Sequence, residues 1–157
     1  ERRIHYFMKG IQGKIPPFVC KNPGLDSGYM IAHVTSTSLA SENKTLSHPA
    51  SVDSLSTSGG QEDLVSMAPW AGLKLIQIQK NVNRILAIEL IVAGAANYLI
   101  SSNLKSGNGT SKVLEILKKH CSFSKGDRSL TSEIESVYDI LRLGHLYRDI
   151  SHHLTLE

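Results

Sequence analysis

Apolar residues along this chain recur mainly at intervals of three and four, the period of a helix. No stretch shows the strict alternation of a half-buried strand. Residues 1–9 read as the end of a helix, which Gly10 and Gly13 break, and Pro16-Pro17 fix an extended segment. Asn22-Pro23-Gly24 is a turn. From about 27 to 46 the pattern predicts a helix with an apolar stripe of Met30, Ile31, Val34, Ser38, Leu39 and Ala40. Asp26 or Ser27 is placed to cap its start, and Pro49 closes it off. Residues 47–60 are irregular and Ser-rich, ending in Gly59-Gly60.

A long helix is expected from about Gln61 to 99–104, some ~40 residues or about 60 Å at ~1.5 Å per residue. Ser58 and Gln61 have capping-box spacing, and Glu62 and Asp63 suit a helix N-terminus electrostatically. Pro69 kinks this helix or starts a second segment of it. Leu75, Ile78, Val82, Ile85, Leu86 and Leu90 form a stripe that is core or subunit interface. Ile85 to Ile100 is about 16 residues of nearly unbroken apolar sequence, short of the ~20 a membrane span needs. It reads instead as a helix buried over most of its circumference, which points to an assembly larger than one small domain. Residues 106–109 are a loop, a short helix follows from about 111 to 121, and a last one from Ser132 to Ser151 has a capping-box Glu135. The fold class is all-α, with long helices forming part of an intersubunit helical bundle. The expected division is a core over 1–104, whose loop 47–60 leads to Glu62, and a helical hairpin-like segment over 105–157.

Composition narrows this little. With 41% hydrophobic residues, 20% charged and a net charge of +3, the chain is ordinary globular protein, not a disordered tail or a collagen-like repeat. Its positive charges are scattered, so it lacks the basic run of a nucleic-acid arm. The two cysteines, Cys20 and Cys121, are far apart and read as free thiols. With no signal-peptide pattern at the start, a cytoplasmic location is expected. Residues 45–73 contain no Lys or Arg but hold Asp53, Glu62 and Asp63, an acidic stretch that asks for a partner. The chain opens Glu1-Arg2-Arg3 without Met, as a piece of something longer would.

Several groupings look chemical but lack a necessary part. Ser106 to Lys112 is Gly-rich but has neither the phosphate-loop spacing nor a preceding strand, so it reads as a linker. His145, His152 and His153 have no Cys or acidic cluster to complete a metal site. His33 and His48 lack triad partners and read as packed polar residues. Glu62, a carboxylate behind two glycines and before an apolar helix, is either a site residue or a complement to the helix dipole.

Longer strings carry more information. Asn22 through Thr35, Ala40-Ser41-Glu42-Asn43-Lys44, His48 through Ser58 and Gln61-Glu62-Asp63-Leu64-Val65-Ser66-Met67 together resemble the histidine ammonia-lyase family. So does Arg84-Ile85-Leu86-Ala87-Ile88-Glu89-Leu90, which is similar to that family's long core helix. The resemblance covers about residues 1–100, and beyond that only helical character is shared. It implies the C-terminal part of a helical lyase subunit that assembles as a homotetramer. The implied reaction is non-oxidative removal of ammonia from L-histidine, giving urocanate. Tyrosine or phenylalanine lyases and aminomutases of the same family are alternatives. An independent alternative, resting on the long helix, is a non-catalytic helical oligomerisation module.

The resemblance also implies an electrophilic methylidene-imidazolone group made from an internal Ala-Ser-Gly. This chain has none, its nearest strings being Ala50-Ser51-Val52 and Thr57-Ser58-Gly59. The chain alone is therefore expected to be inactive. Carried over residue by residue, the family's Gln-Glu-Asp motif makes Glu62 the catalytic carboxylate and Gln61 a supporting substrate-binding residue. The Ser-Gly-x-Met motif places Met30 in the side-chain pocket. The chain departs from the family pattern at Leu64, where His is common, and at Asp26, where Asn is usual. Neither nucleic acid nor a membrane is an expected partner.

Overall fold

A computed structural model of the chain describes residues 1–100 and 105–151. Among these it contains six α-helices and no strand: α1 (Arg2–Met8), α2 (Met30–Leu46), α3 (Ala68–Leu99), α4 (Asn108–His120), α5 (Thr131–Arg142) and α6 (His145–Ser151). The all-α expectation holds. Helix α3, 32 residues long, is the axis on which α1, α2, α4 and α5 pack.

The C-terminal half of α3 is covered on nearly every side. Ala87, Ile88, Ile91, Val92, Ala95 and Ala96 are buried together with Ile4 and Met8 of α1, Leu117 of α4, and Val137 and Tyr138 of α5. The run of small residues lets neighbours approach closely. A Cβ on Gly94 would stand 2.6 Å from the Phe123 ring, so that ring occupies space only glycine leaves open. By length and composition alone α3 could cross a bilayer. In this fold two of its four charges are committed to neighbouring helices: Glu89 pairs with Arg3, and Arg84 holds Glu135 of α5 at 2.9 and 3.2 Å.

The join between α2 and α3 is polar. Asn81, 1% exposed, donates to Glu42 and Asn43 of α2 at 2.9 Å each and accepts from Gln77 at 3.1 Å. A buried amide so fully partnered fixes the register of the two helices, because a slip would strand polar groups in the core.

Several expectations change. The long helix begins at Ala68, not near Gln61, because Pro69 occupies its first turn, where its fixed φ and missing N–H fit. It is about 48 Å long at ~1.5 Å per residue, not about 60 Å. Gln61, Glu62 and Asp63 therefore lie in a loop, not at a helix N-terminus, and Ser58 and Gln61 form no capping box. Helix α2 starts at Met30, and neither Asp26 nor Ser27 caps it through a side chain. Its buried face is Ala32 and Ser36, whereas Ile31, Val34 and Ser38 of the expected stripe point outward. The packed face of α2 is made of small residues, which a hydrophobicity pattern does not register.

Further along, α4 begins at Asn108, three residues early. The expected last helix is two, because Gly144, at φ +69, breaks it after Arg142. Glu135 pairs with Arg84 and closes no capping box. The expected boundary at 104 and the last residues of the long helix, 101–104, lie outside the described residues. The stripe on α3 divides: Ile78, Ile85 and Leu90 are half-buried, while Leu75, Val82 and Leu86 are exposed, as are Trp70, Leu73 and Ile76 beside them.

This division sets an expected outcome. Ile91→Ala, at a 1% exposed position, should cost about 2–5 kcal/mol in urea denaturation. Leu75→Ala in the same single chain should stay within about 0.5 kcal/mol. Equal losses at the two positions would contradict the packing described.

Candidate functional site

Glu62 sits on a tight reversal of the chain. The Thr57 and Glu62 backbones pair as an isolated bridge, with the Thr57 N–H donating to the Glu62 carbonyl at 3.0 Å. Between them Ser58, Gly59 and Gly60 all take positive φ, at 55, 67 and 89°. Two consecutive glycines are what such a turn needs, since side chains are strained there. The Thr57 hydroxyl donates to one Glu62 carboxylate oxygen at 2.9 Å. The other oxygen has no partner among the described residues, and Glu62, Gln61 and Asp63 are all exposed. The result is an aimed carboxylate with one acceptor free for a ligand's N–H or O–H.

Met30 opens α2, and that 17-residue helix puts about 25 Å between it and the point where the chain leaves the helix on its way to Glu62. Gln61 and Glu62 are thus together, and no hydrogen bond joins them to the Met30 region. Met30 is 37% exposed, and Leu25, Ile31 and Val34 near it in sequence are exposed as well.

The segment just before Met30 is tightly constrained. Gly28 has φ +55, and a Cβ there would collide with the Phe18 carbonyl and stand 2.7 Å from Cys20 Cβ. The Tyr29 N–H donates to the Phe18 carbonyl at 3.0 Å, and Phe18 and Val19 are themselves at φ 57 and 52°. Positive φ at a β-branched valine is a true outlier, held only where surroundings over-determine it.

What holds it comes from the other end of the chain. The Asp127 carboxylate accepts the Ser27 and Gly28 N–H groups at 2.8 Å each. Arg128 donates to both Glu133 oxygens at 2.8 Å and to the Tyr29 hydroxyl at 3.4 Å. The two amide hydrogen bonds hold the Asp127 carboxyl below its ordinary range. Burial pushes the Tyr29 phenol up, against the opposing pull of Arg128. Sequence reasoning missed Asp127, Arg128 and Glu133: the contacts of Asp127 and Arg128 to residues 27–29 span about a hundred residues and leave no local pattern, and the Arg128–Glu133 pair, five residues apart, depends on the path of the loop before α5.

A cavity of about 210 Å³ lies beside this brace, between Tyr29, Lys21, Ala95 and Phe123, and Met30, Gln61 and Glu62 do not line it. His33 shares a hydrogen bond with Glu1 at 3.3 Å, a packed polar role, while His48 and His145 are exposed. His152 and His153 lie outside the described residues. Both cysteines are free and buried, and burial pushes the Cys121 thiol up to about 12.

Comparison with known proteins adds the following. A family model described as aromatic amino acid lyase matches residues 1–119. The chain is 41% identical to histidine ammonia-lyase of Yersinia enterocolitica, over 98% of this chain and 30% of that protein. It is 44% identical to histidine ammonia-lyase of Aliivibrio fischeri, over 90% of this chain and 28% of that one. The crystal structure of histidine ammonia-lyase from Trypanosoma cruzi matches with a TM-score of 0.90 and 37% identity, over 99% of this chain and 30% of the other. Tyrosine aminomutase from Streptomyces globisporus gives 0.91 and 27%, with the same coverage. The chain spans about 30% of the length of the curated relatives it matches.

Asp127 lies beyond the residues that the family model matches, and its contribution should be visible in acid. A carboxyl whose folded pKa is depressed stabilises the fold fully above its unfolded pKa of ~3.9, and that stability is lost as pH falls through the folded value. Thermal melts between neutral pH and pH ~2 should therefore fall more steeply for the parent chain than for Asp127→Asn. Parallel curves would remove Asp127 from the acid response.

Proposed function

The chain belongs to the aromatic amino acid lyase family, and on that premise we propose that it is the C-terminal part of a histidine ammonia-lyase. The observation that carries this reading is the 41–44% identity to histidine ammonia-lyases across at least 90% of the chain. Identity to the tyrosine aminomutase is only 27%. Glu62, exposed and held on its turn by Thr57, is the group this chain brings to the chemistry.

Elimination of ammonia from histidine poses two problems. The β-proton is barely acidic, and an amine leaves poorly. The methylidene-imidazolone group supplies an electrophile that activates the substrate. It has to come from another part of the enzyme, since no Ala-Ser-Gly exists here to form it. Thr57-Ser58-Gly59 does not fit the requirement, being committed to the turn that aims Glu62.

What this chain's residues do is bind and orient. The free oxygen of Glu62 accepts an N–H from the substrate imidazole, or holds a proton in transit there. Gln61 supports it from the same turn, and Met30 gives an apolar wall. The separation of Met30 from the Glu62 loop is consistent with a site completed by other parts of the enzyme, assembled as a homotetramer. The exposed apolar face of α3 from Trp70 to Leu86 favours such assembly.

In the intact enzyme, Glu62→Gln should lower histidine turnover by at least about ten-fold. Unchanged kcat and KM would remove Glu62 from the site. These 157 residues alone should form no urocanate, and any urocanate absorbance from the purified chain would refute that. A second reading, a tyrosine- or phenylalanine-directed lyase or aminomutase, is favoured by the TM-score of 0.91 to the tyrosine aminomutase. A substrate panel on the intact enzyme separates the two, with urocanate expected and coumarate or cinnamate overturning the choice of histidine.

A further inference from the structure

The loop between α4 and α5 has no role in the reading above, and the family match ends before it, at residue 119. Yet it makes the most ordered polar contacts to the start of α2. Two consecutive backbone N–H groups, those of Ser27 and Gly28, meet the two different oxygens of the Asp127 carboxylate at 2.8 Å. Both N–H groups precede Tyr29, the N-cap of α2, so the carboxylate ties down the chain entering the helix from about a hundred residues away. Asp127 is itself steadied by the next residue. Arg128 is locked to Glu133 through Nε and Nη2, and its Nη1 donates to the Lys125 and Gly126 carbonyls at 3.3 Å.

The opposite side of the same segment is equally fixed, with Gly28 pressed against the Phe18 carbonyl and Tyr29 donating to that oxygen. Three residues are therefore clamped from two sides, and the next residue is Met30. A side chain in the first turn of a helix goes where the entering backbone directs it. A small rotation at Gly28 would swing Met30 through a large arc.

We propose that Asp127 is a positioning residue: its carboxylate fixes the backbone of Ser27 and Gly28 and thereby sets where the Met30 side chain stands. That Met30 lines a substrate pocket rests on the lyase reading. That Asp127 places Met30 does not.

The test uses the intact enzyme and Asp127→Asn. Asparagine keeps the shape but sets an NH2 group against one of the two backbone N–H groups. Hydrogen exchange in the peptide spanning residues 22–30 should speed up by about ten-fold, the effect of losing one hydrogen bond to a charged group. KM for the amino acid should rise by about five-fold or more with kcat within about two-fold, a split that loss of folded enzyme alone does not produce. Asp127→Glu, which restores the charge, should recover part of both. In combination with Met30→Leu the KM effects should be less than multiplicative, because both changes act on one wall.

Unchanged exchange in residues 22–30, or fully multiplicative KM effects, overturns the proposal. Should Asp127→Asn fail to fold, Asp127→Glu carries the same measurements, with smaller changes of the same sign expected. If the parent enzyme turns over no aromatic amino acid, the lyase reading falls and exchange over residues 22–30 alone decides the role of Asp127.

Discussion

A helix that is apolar around its whole circumference has to be covered around its whole circumference, and the architecture follows from how that demand is met on α3. From Ala87 to Ala96 the chain covers itself. Helices α1, α2, α4 and α5 each bring one face to this stretch, and the small residues of α3 let them come close. Between Trp70 and Leu86 the chain supplies α2 and, at Arg84, the edge of α5, and six large apolar side chains remain exposed. Burying a large apolar side chain stabilises by about 1.5–3 kcal/mol, so leaving this many in water is a sizeable unmet demand. One helix thus behaves as core at one end and as unpartnered surface at the other.

The joints around α3 are polar and specific where the packing is not. Ala-rich helix faces fit one another in more than one register, since small side chains interlock weakly. Asn81 settles the register with α2, Arg84 with Glu135 settles it with α5, and Glu89 with Arg3 settles it with α1. The Asp127 brace does the same for the entry to α2, where no side chain close in sequence is placed to do it. In each case a polar group on one element finds its partner on another far away in sequence. At Asn81 a shifted register would leave a buried amide unpaired, which is costly; the other pairs are partly exposed and contribute modestly, as specific points of attachment.

That distribution explains what the sequence disclosed. Helix content, the free cysteines and the turn at Asn22-Pro23-Gly24 were legible, because period, composition and turn chemistry are local; of the apolar run from Ile85 to Ile100, only the part from Ala87 to Ala96 is closely buried, with Leu86 and Tyr98 exposed. The inward face of α2 was not, since Ala32 and Ser36 are chosen for size and not for hydrophobicity, while Ile31 and Val34 dominate the pattern and face outward. The start of α3 was misplaced because Glu62 and Asp63 look like helix-start residues, whereas Pro69 marks the true first turn. Glu62 is a candidate through ordered strings of residues, and its turn accounts for the two glycines before it. Nothing local could have found Asp127 or Glu133, whose partners lie in other elements or depend on the loop's final path.

Exposure of Glu62 and exposure of the first half of α3 are connected. The Glu62 turn ends only a few residues before Trp70, and the loop between them is tied down mainly by one hydrogen bond, from the Val65 N–H to Ser54. Trp70 follows Glu62 by eight residues, so the two lie on one stretch of chain whose side chains are all exposed or half-buried. A surface that covered Trp70 and also reached the Glu62 carboxylate would take water away from that carboxylate and strengthen the hydrogen bonds it makes. For the lyase proposed above, assembly over the apolar face of α3 would then serve the chemistry as well as the packing.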